Sequence, residues 1–210
     1  SLTLPHQSAM LLPLLFFRPL TVVEFGLGGG NLSRYLKHVN GNINVISIEK
    51  NPIIIECFQQ YFNPEQHTIA LFQDSAQSWL RNTNTTKIDW LLCDIYQQQV
   101  NSQISINFLA ALMRYLTPNT CLSINLPDAS ASEINCLLTM LQYNLLSHKL
   151  VYFQVPYYNN IIMHIYPSYW LIDTQLKRPN QSYLPKRTFH HWRKIWQHAK
   201  QITKLPSLNS

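Results

Sequence analysis

The 210 residues are 46% hydrophobic and 12% charged, a composition that excludes a disordered chain and allows one packed domain with a substantial apolar core. Net charge is +6 but unevenly placed: after Asp173 there are eight Lys or Arg and no Asp or Glu, whereas the preceding part has eight basic and ten acidic residues, about −2 by subtraction. A mildly acidic body precedes a basic tail, and no apolar run reaches the roughly 18 residues that cross a bilayer.

Residues 1–20 read as a helical lead-in. The run Ala9 to Phe17 is broken by Pro13, has no basic residue before it and is followed by Arg18-Pro19. It reads as a core helix rather than a secretory signal. From Thr21 onward apolar runs alternate with helical patterns, the rhythm of a sheet covered on both faces. Strands are predicted at Thr21 to Gly26, Asn44 to Glu49, Thr68 to Gln73, Ile88 to Ile95, Cys121 to Leu126, Lys149 to Val155 and Asn160 to Tyr166. Helices are predicted at Asn31 to Val39, Pro52 to Phe62, Ser75 to Arg81, Ile104 to Leu116 and Ser130 to Leu146. A short connection at Tyr157 to Asn159 makes the last two strands an antiparallel pair. The expectation is an α/β fold with a doubly wound, mostly parallel seven-stranded sheet and an antiparallel C-terminal hairpin, a Rossmann-like methyltransferase fold. Residues 21–170 form the nucleotide-binding transferase domain in this reading. Residues 171–210 form a basic linker and a helix from Thr188 to Thr203.

The first predicted strand runs into Gly26-Leu27-Gly28-Gly29-Gly30, where glycines let backbone approach a ligand and the next helix presents its free N–H groups. Glu49 stands at the carboxyl end of the second strand, twenty-three residues after Gly26, close to the spacing of an acid that binds ribose hydroxyls. A dinucleotide fingerprint would need glycine where Asn31 stands, so Gly26, Gly28 and Gly30 favour an adenosyl-sulfur ligand. Asp74, with Ser75, follows the third strand, and Asp94 ends the fourth. These acids converge on one crevice if the sheet is parallel. Asp74 flanks the adenine in this reading, and an N-cap role for it at a helix beginning at Ser75 fits equally well. Asp89 starts its strand at the opposite edge and receives no catalytic role.

Cys57, Cys93, Cys121 and Cys136 form no C-x-x-C pair and lie in apolar stretches, which reads as buried thiols in a reducing, cytoplasmic setting. The eight histidines show no H-E-x-x-H spacing, and no metal is expected.

With these residues in view, the chain resembles the spermidine synthase family, in its divergent spermidine-synthase-like members, over Pro5 to Tyr166. The matching segments are Val22 to Gly30, Ser47-Ile48-Glu49-Lys50-Asn51-Pro52, Phe72-Gln73-Asp74-Ser75, Asp89 to Asp94, and Leu116-Thr117-Pro118-Asn119. The resemblance implies aminopropyl transfer from decarboxylated S-adenosylmethionine to a small-molecule amine, with Asp94 as the catalytic acid. It implies a substrate contact from His6, since family members carry a histidine near the equivalent helix start, and sets Gln97 at a substrate-binding position; Tyr96, beside the fourth strand, reads as lining the acceptor pocket or as packing. The chain departs from the family at Gly29, where active synthases carry an aspartate in the glycine turn, and at Gln97, where they carry a second acid. The family's small N-terminal β-domain has no counterpart in residues 1–20. Polyamine recognition is therefore expected to be altered or lost while the nucleotide half is kept.

Two other readings stay open. A methyltransferase would use intact S-adenosylmethionine on the same sheet. A non-catalytic module would use the basic tail on nucleic acid, because cations there interleave with Phe189, Trp192 and Trp196. Aromatic spacings of three and four favour instead a helix packing those rings on the body. A homodimer and an unidentified acceptor remain open as partners, and no membrane is expected.

Overall fold

The computed structural model describes residues 2–84, 87–95, 106–127, 134, 138–139, 147–170, 172, 184–198 and 200–201. Among them an eight-stranded sheet runs in the order β3-β2-β1-β4-β5-β7-β6-β8. The strands are β1 Thr21–Phe25, β2 Asn44–Glu49, β3 Ala70–Gln73, β4 Trp90–Cys93, β5 Cys121–Leu126, β6 His148–Gln154, β7 Ile161–Pro167 and β8 Lys200–Gln201. β1 to β5 pair in parallel. β7 is antiparallel to β5 and β6, and β8 is antiparallel to β6. All seven predicted strands are present, as is the hairpin.

The described helices are α1 Pro5–Met10, α2 Asn31–Val39, α3 Pro52–Cys57, α4 Ala76–Asn82, α5 Ile106–Met113 and α6 Lys186–Gln197. The predicted helix Ser130 to Leu146 and the linker after Asp173 lie almost wholly outside the described residues. Three helical expectations need correction. The lead-in is two pieces, α1 and a 3₁₀ turn Leu12–Leu15, because Pro13 has no N–H to continue the ladder. The predicted helix Pro52 to Phe62 is α3 followed by a π turn Phe58–Phe62. The terminal helix is shifted: α6 spans 186–197, and the chain then turns to add β8 to the open edge of β6. Such a strand satisfies edge groups that would otherwise face solvent.

Alternation along each strand sends side chains to two cores. Val22, Val45, Trp90, Leu92, Ile162 and Tyr166 face α1, the 3₁₀ turn, α2 and α6, whereas Val23, Phe25, Ile48, Leu91, Ile124 and Met163 face α4 and α5. α6 sets Phe189, Trp192 and Trp196 into the first core, with Trp196 against the rings of Phe16, His164 and Tyr166. No helix among the described residues is long and apolar enough to cross a membrane.

Two polar threads run through this first core. In one, Trp90 Nε1 donates to Ser123 Oγ at 3.0 Å, and Ser123 Oγ lies 2.7 Å from His164 Nδ1. His164 Nε2 lies 3.0 Å from Ala9 O. A carbonyl only accepts, so Nε2 carries the proton and Nδ1 accepts from Ser123. Burial pushes the His164 pKa down to about 3, with the Ala9 bond opposing. The second thread is Glu24 on β1, whose Oε2 accepts from Ser33 Oγ of α2 and from Ser47 Oγ of β2, the latter at 2.7 Å. This cluster ties β1 and β2 to α2 directly beneath the glycine turn. Burial raises the Glu24 pKa to about 7 against the lowering effect of the serine bonds, and Asp94 and Glu49 raise it further.

The raised pKa fixes the sign of a pH effect. Folded Glu24 holds its proton more tightly than unfolded Glu24, so its contribution is fully present below pH 4.5 and is lost as pH rises through about 7. Urea unfolding of wild type and Glu24→Gln across that window should show wild type losing on the order of 3 kcal/mol relative to the variant. Parallel profiles would show that Glu24 is not protonated in the fold. Trp196→Ala should cost about 3–5 kcal/mol, as for other buried aromatics, whereas Lys194→Ala on the exposed side of α6 should stay within about 0.5 kcal/mol.

Candidate functional site

The strand order reverses between β1 and β4, and open α/β sheets bind ligands outside the carboxyl ends of their strands at such a point. Here the ladder continues one residue past each strand. Gly26 N donates to Ile48 O at 3.0 Å, Asp94 N to Phe25 O at 2.9 Å, and Asp74 N to Glu49 O at 3.1 Å. Gly26, Glu49, Asp74 and Asp94 are thereby brought level along one rim. They line a crevice of about 840 Å³ together with Leu27, Gly28, Gly29, Asn31, Ser75 and Gln7.

The approach of β1 to β4 at this rim depends on Gly26. Its φ is 94°, and a Cβ there would collide with the Asp94 carbonyl. Gly30 does different work: with φ 63° it is the N-cap of α2, and a Cβ would strike the Phe58 ring of the π turn. Gly26 and Gly28 thus line the crevice, whereas Gly30 shapes the entry to α2 from behind.

Glu49 is held at both oxygens. Oε2 accepts from Leu27 N at 3.2 Å and Oε1 from Asn51 N at 2.9 Å. A carboxylate oxygen has two acceptor positions, so this clamp fixes the group and leaves capacity for a ligand diol. Asp74 Oδ1 accepts from Ser75 N at 2.7 Å, and Ser75 Oγ accepts from Ser78 N at 3.1 Å. Ser75, not Asp74, is therefore the N-cap of α4, which begins at Ala76. Of the two roles open to Asp74, the N-cap falls to its neighbour.

Asp94 lies at the centre of a polar chain that sequence reasoning missed. Asn125 Nδ2, near the end of β5, donates to Asp94 Oδ1 at 2.8 Å, and Asn160 Nδ2 donates to Asn125 Oδ1 at 2.9 Å. On the other side His6 Nε2 stands 3.9 Å from Asp94 Oδ2. α1 is fixed here by Gln7, whose Oε1 accepts from Thr3 N, Leu4 N and Asn31 Nδ2. The signal for Asn125 was present as an amide interrupting the apolar strand Cys121–Leu126. Asn160, and the bond from Gln7 to Asn31, offered none, because those partners are remote in sequence. Tyr96 and Gln97 lie outside the described residues.

Asp89 Oδ2 accepts from Leu20 N at 2.7 Å and Thr21 N at 2.8 Å, tying the amino ends of β1 and β4. Cys93 and Cys121 are buried free thiols, whereas Cys57, expected to be buried, is half-buried at the end of α3, and Cys136 lies outside the described residues; burial pushes the Cys93 pKa up to about 12, which keeps it unreactive. Among the described residues no group of three or more His, Cys, Asp or Glu is placed to hold a metal ion.

No family model matches the chain, and no curated protein matches it. Solved structures do. Human methyltransferase-like protein 13 in complex with SAH is similar over 90% of this chain and 93% of its own, at 18% identity and a TM-score of 0.73. A probable spermidine synthase from Corynebacterium glutamicum is similar over 100% of this chain and 84% of its own, at 16% identity and a TM-score of 0.67. Spermidine synthase from Thermotoga maritima is similar over 89% of this chain and 69% of its own, at 12% identity and a TM-score of 0.64. Together with the strand order, these likenesses show that the chain has the Rossmann-like fold of class I methyltransferases, which methyltransferases and spermidine synthases share.

Proposed function

We propose that the chain is a transferase that binds an adenosyl-sulfur nucleotide in the crevice and passes a group from its sulfonium to an amine presented at Asp94. The observation that carries this reading is the arrangement of Glu49, Asp74 and Asp94, from three strand ends, on one rim beside the glycine turn. The volume suits a nucleoside with an amino-acid-sized appendage. Glu49 would hold the ribose hydroxyls, Asp74 and Ser75 would border the adenine, and Asp94 would face the sulfonium.

The chemistry is a displacement at carbon. An uncharged amine nitrogen attacks the carbon next to the sulfonium, the C–S electrons return to sulfur as a neutral thioether, and the nitrogen's extra proton must leave. Asp94 is suited to accept it or to orient the amine. Asn125 saturates one side of its Oδ1, which turns the remaining oxygen toward the substrate side, where His6 stands. With decarboxylated S-adenosylmethionine the transferred group is aminopropyl and the product is methylthioadenosine, in line with the family resemblance. Gln97 in place of a second acid supports an acceptor other than a doubly charged diamine.

A second reading, methyl transfer from intact S-adenosylmethionine, is favoured by the glycine turn. Gly29 stands where synthases carry an aspartate, and its carbonyl accepts from Arg34 Nη2 at 3.3 Å. No acid therefore stands at that point of the crevice, and the cation that lines it is Lys50, a wall that tolerates a donor carboxylate.

Thermal unfolding with S-adenosylmethionine, its decarboxylated form, S-adenosylhomocysteine and methylthioadenosine tests both. A ligand at one hundred times its Kd should add about 2.7 kcal/mol of stability. Preference for the decarboxylated donor and methylthioadenosine supports aminopropyl transfer, and preference for the carboxylate-bearing pair supports methyl transfer. Glu49→Gln should weaken whichever ligand binds by roughly tenfold or more, the scale of a lost charge-assisted bond. Asp94→Asn should leave nucleotide binding near wild type and lower turnover by about a hundredfold or more. Folded protein that ignores all four ligands overturns the proposal.

A further inference from the structure

α6 presents two unlike faces. Phe189, Trp192 and Trp196 are buried in the first core, and the helix rests on α1, on the 3₁₀ turn and on Tyr35 of α2. Turning the rings inward puts Lys186, Arg187, His190, His191 and Lys194 outside, all exposed, with His198 exposed just past the helix end. No acid lies in α6 or anywhere after Asp173. Among the described residues none of these side chains is in an ion pair, the pairs being His6 with Asp94 and His67 with Glu65.

The outer face has a period as well as a sign. Residues four apart share one ridge of an α-helix, about 6 Å from each other along its axis. Lys186, His190, Lys194 and His198 therefore form a ridge in which ammonium and imidazole alternate turn by turn, and Arg187 and His191 repeat that order alongside. One turn is comparable to one nucleotide of an extended strand. Lysine and arginine contact phosphates, and the flat imidazole ring is a surface on which an unpaired base stacks. Two rival partners fit less well. An interfacial membrane helix needs an apolar face to insert, and the apolar face of α6 is already packed in the core. An acidic protein segment would match the cations but leave the interleaved rings without a partner.

We propose that the outer face of α6 binds single-stranded nucleic acid, with Lys186, Arg187 and Lys194 on phosphates and His190 and His191 against bases. Burial of the aromatic rings does not compete with this role. It holds the helix in one rotation about its axis and so fixes which side chains face outward. The surface lies beside the crevice, because α1 and α2, on which α6 rests, carry Gln7 and Asn31 of the crevice wall. It is separate from the crevice and independent of which group the crevice transfers.

The test uses the full chain and the fluorescence anisotropy of a labelled oligouridine of about twelve nucleotides, within the usual site size. Binding should weaken steadily as salt rises. Lys186→Ala/Arg187→Ala/Lys194→Ala should lower the affinity at least tenfold and flatten the log–log salt slope by about 2, the value for three lost contacts to a single strand. Lys186→Arg/Lys194→Arg should bind as wild type does. His190→Ala/His191→Ala, measured at pH 8, above the ordinary range of imidazole titration, should weaken binding severalfold and leave the slope unchanged. All these positions are exposed, so Tm should stay within a few degrees of wild type. If the triple variant is unstable, Lys186→Gln/Lys194→Gln serves, with an expected loss of severalfold. Stabilisation by any crevice ligand should be the same in every variant, so failure of this surface and failure of the nucleotide reading register separately. Unlabelled oligouridine should displace the probe more effectively, at equal charge, than polyglutamate, phosphatidylserine vesicles or a duplex RNA. Absence of binding, a triple variant that binds as wild type does, histidine variants without effect at pH 8, or any of those competitors matching oligouridine overturns the proposal.

Discussion

The close approach of β1 and β4 is the constraint on which the site depends. They are parallel neighbours with Phe25 opposite Cys93, and the chain leaves them in opposite directions. Only a residue without a Cβ fits at the next position, because the Asp94 carbonyl occupies that space. Gly26 therefore does more than permit a turn. It fixes the distance between the glycine loop and Asp94, the donor and acceptor sides of the proposed reaction. Any larger residue would have to separate the strand ends, and with them the two halves of the proposed reaction.

The same face of the sheet stores polarity in an otherwise apolar core. Glu24 and His164 lie on that face, and burial shifts their pKa values in opposite directions, each toward its neutral form. Their stability effects also oppose one another. Glu24 loses contribution as pH rises from 4.5 to about 7, whereas His164 loses it as pH falls from 6.5 toward about 3. Their joint effect places an optimum in mildly acid conditions, before the exposed acids and bases add their share. Each thread also joins elements that the sheet alone would not: Glu24 binds α2 to β1 and β2, and His164 binds α1 to β5 and β7. α1 carries His6 and Gln7, so a residue buried in β7 helps decide where His6 stands.

The strands were legible because parallel strands buried on both faces are near-continuous apolar runs, and Asn44–Glu49 and Cys121–Leu126 fall at the predicted limits. Glu49 and Asp94 were legible for a related reason: an acid at the end of such a run has nowhere to go but the crevice. What failed depends on partners far along the chain. The end of α6 is set by the open edge of β6, and a two-residue strand has no periodicity to detect. Asn125 acts through the register of β5 against β4 and through Asn160 of the β6–β7 connection, neither of which a single strand reveals. The cap at Ser75 rather than Asp74 is a shift of one residue, within the usual ambiguity of helix ends.

A fold shared by both chemistries leaves the choice of donor to very few atoms. Two like charges about 4 Å apart near a protein surface repel by about 4 kcal/mol, and each 1.4 kcal/mol is about a factor of ten in affinity. One aspartate in the glycine turn is thus enough to exclude a donor that carries a carboxylate, and one glycine there is enough to admit it. This chain has Gly29 at that point, with the Arg34 guanidinium against its carbonyl. In the proposed reaction the crevice would therefore be kept whole while the identity of the transferred group turned on a single side chain. The fold itself is common to solved structures of both kinds, at 16–18% identity to this chain.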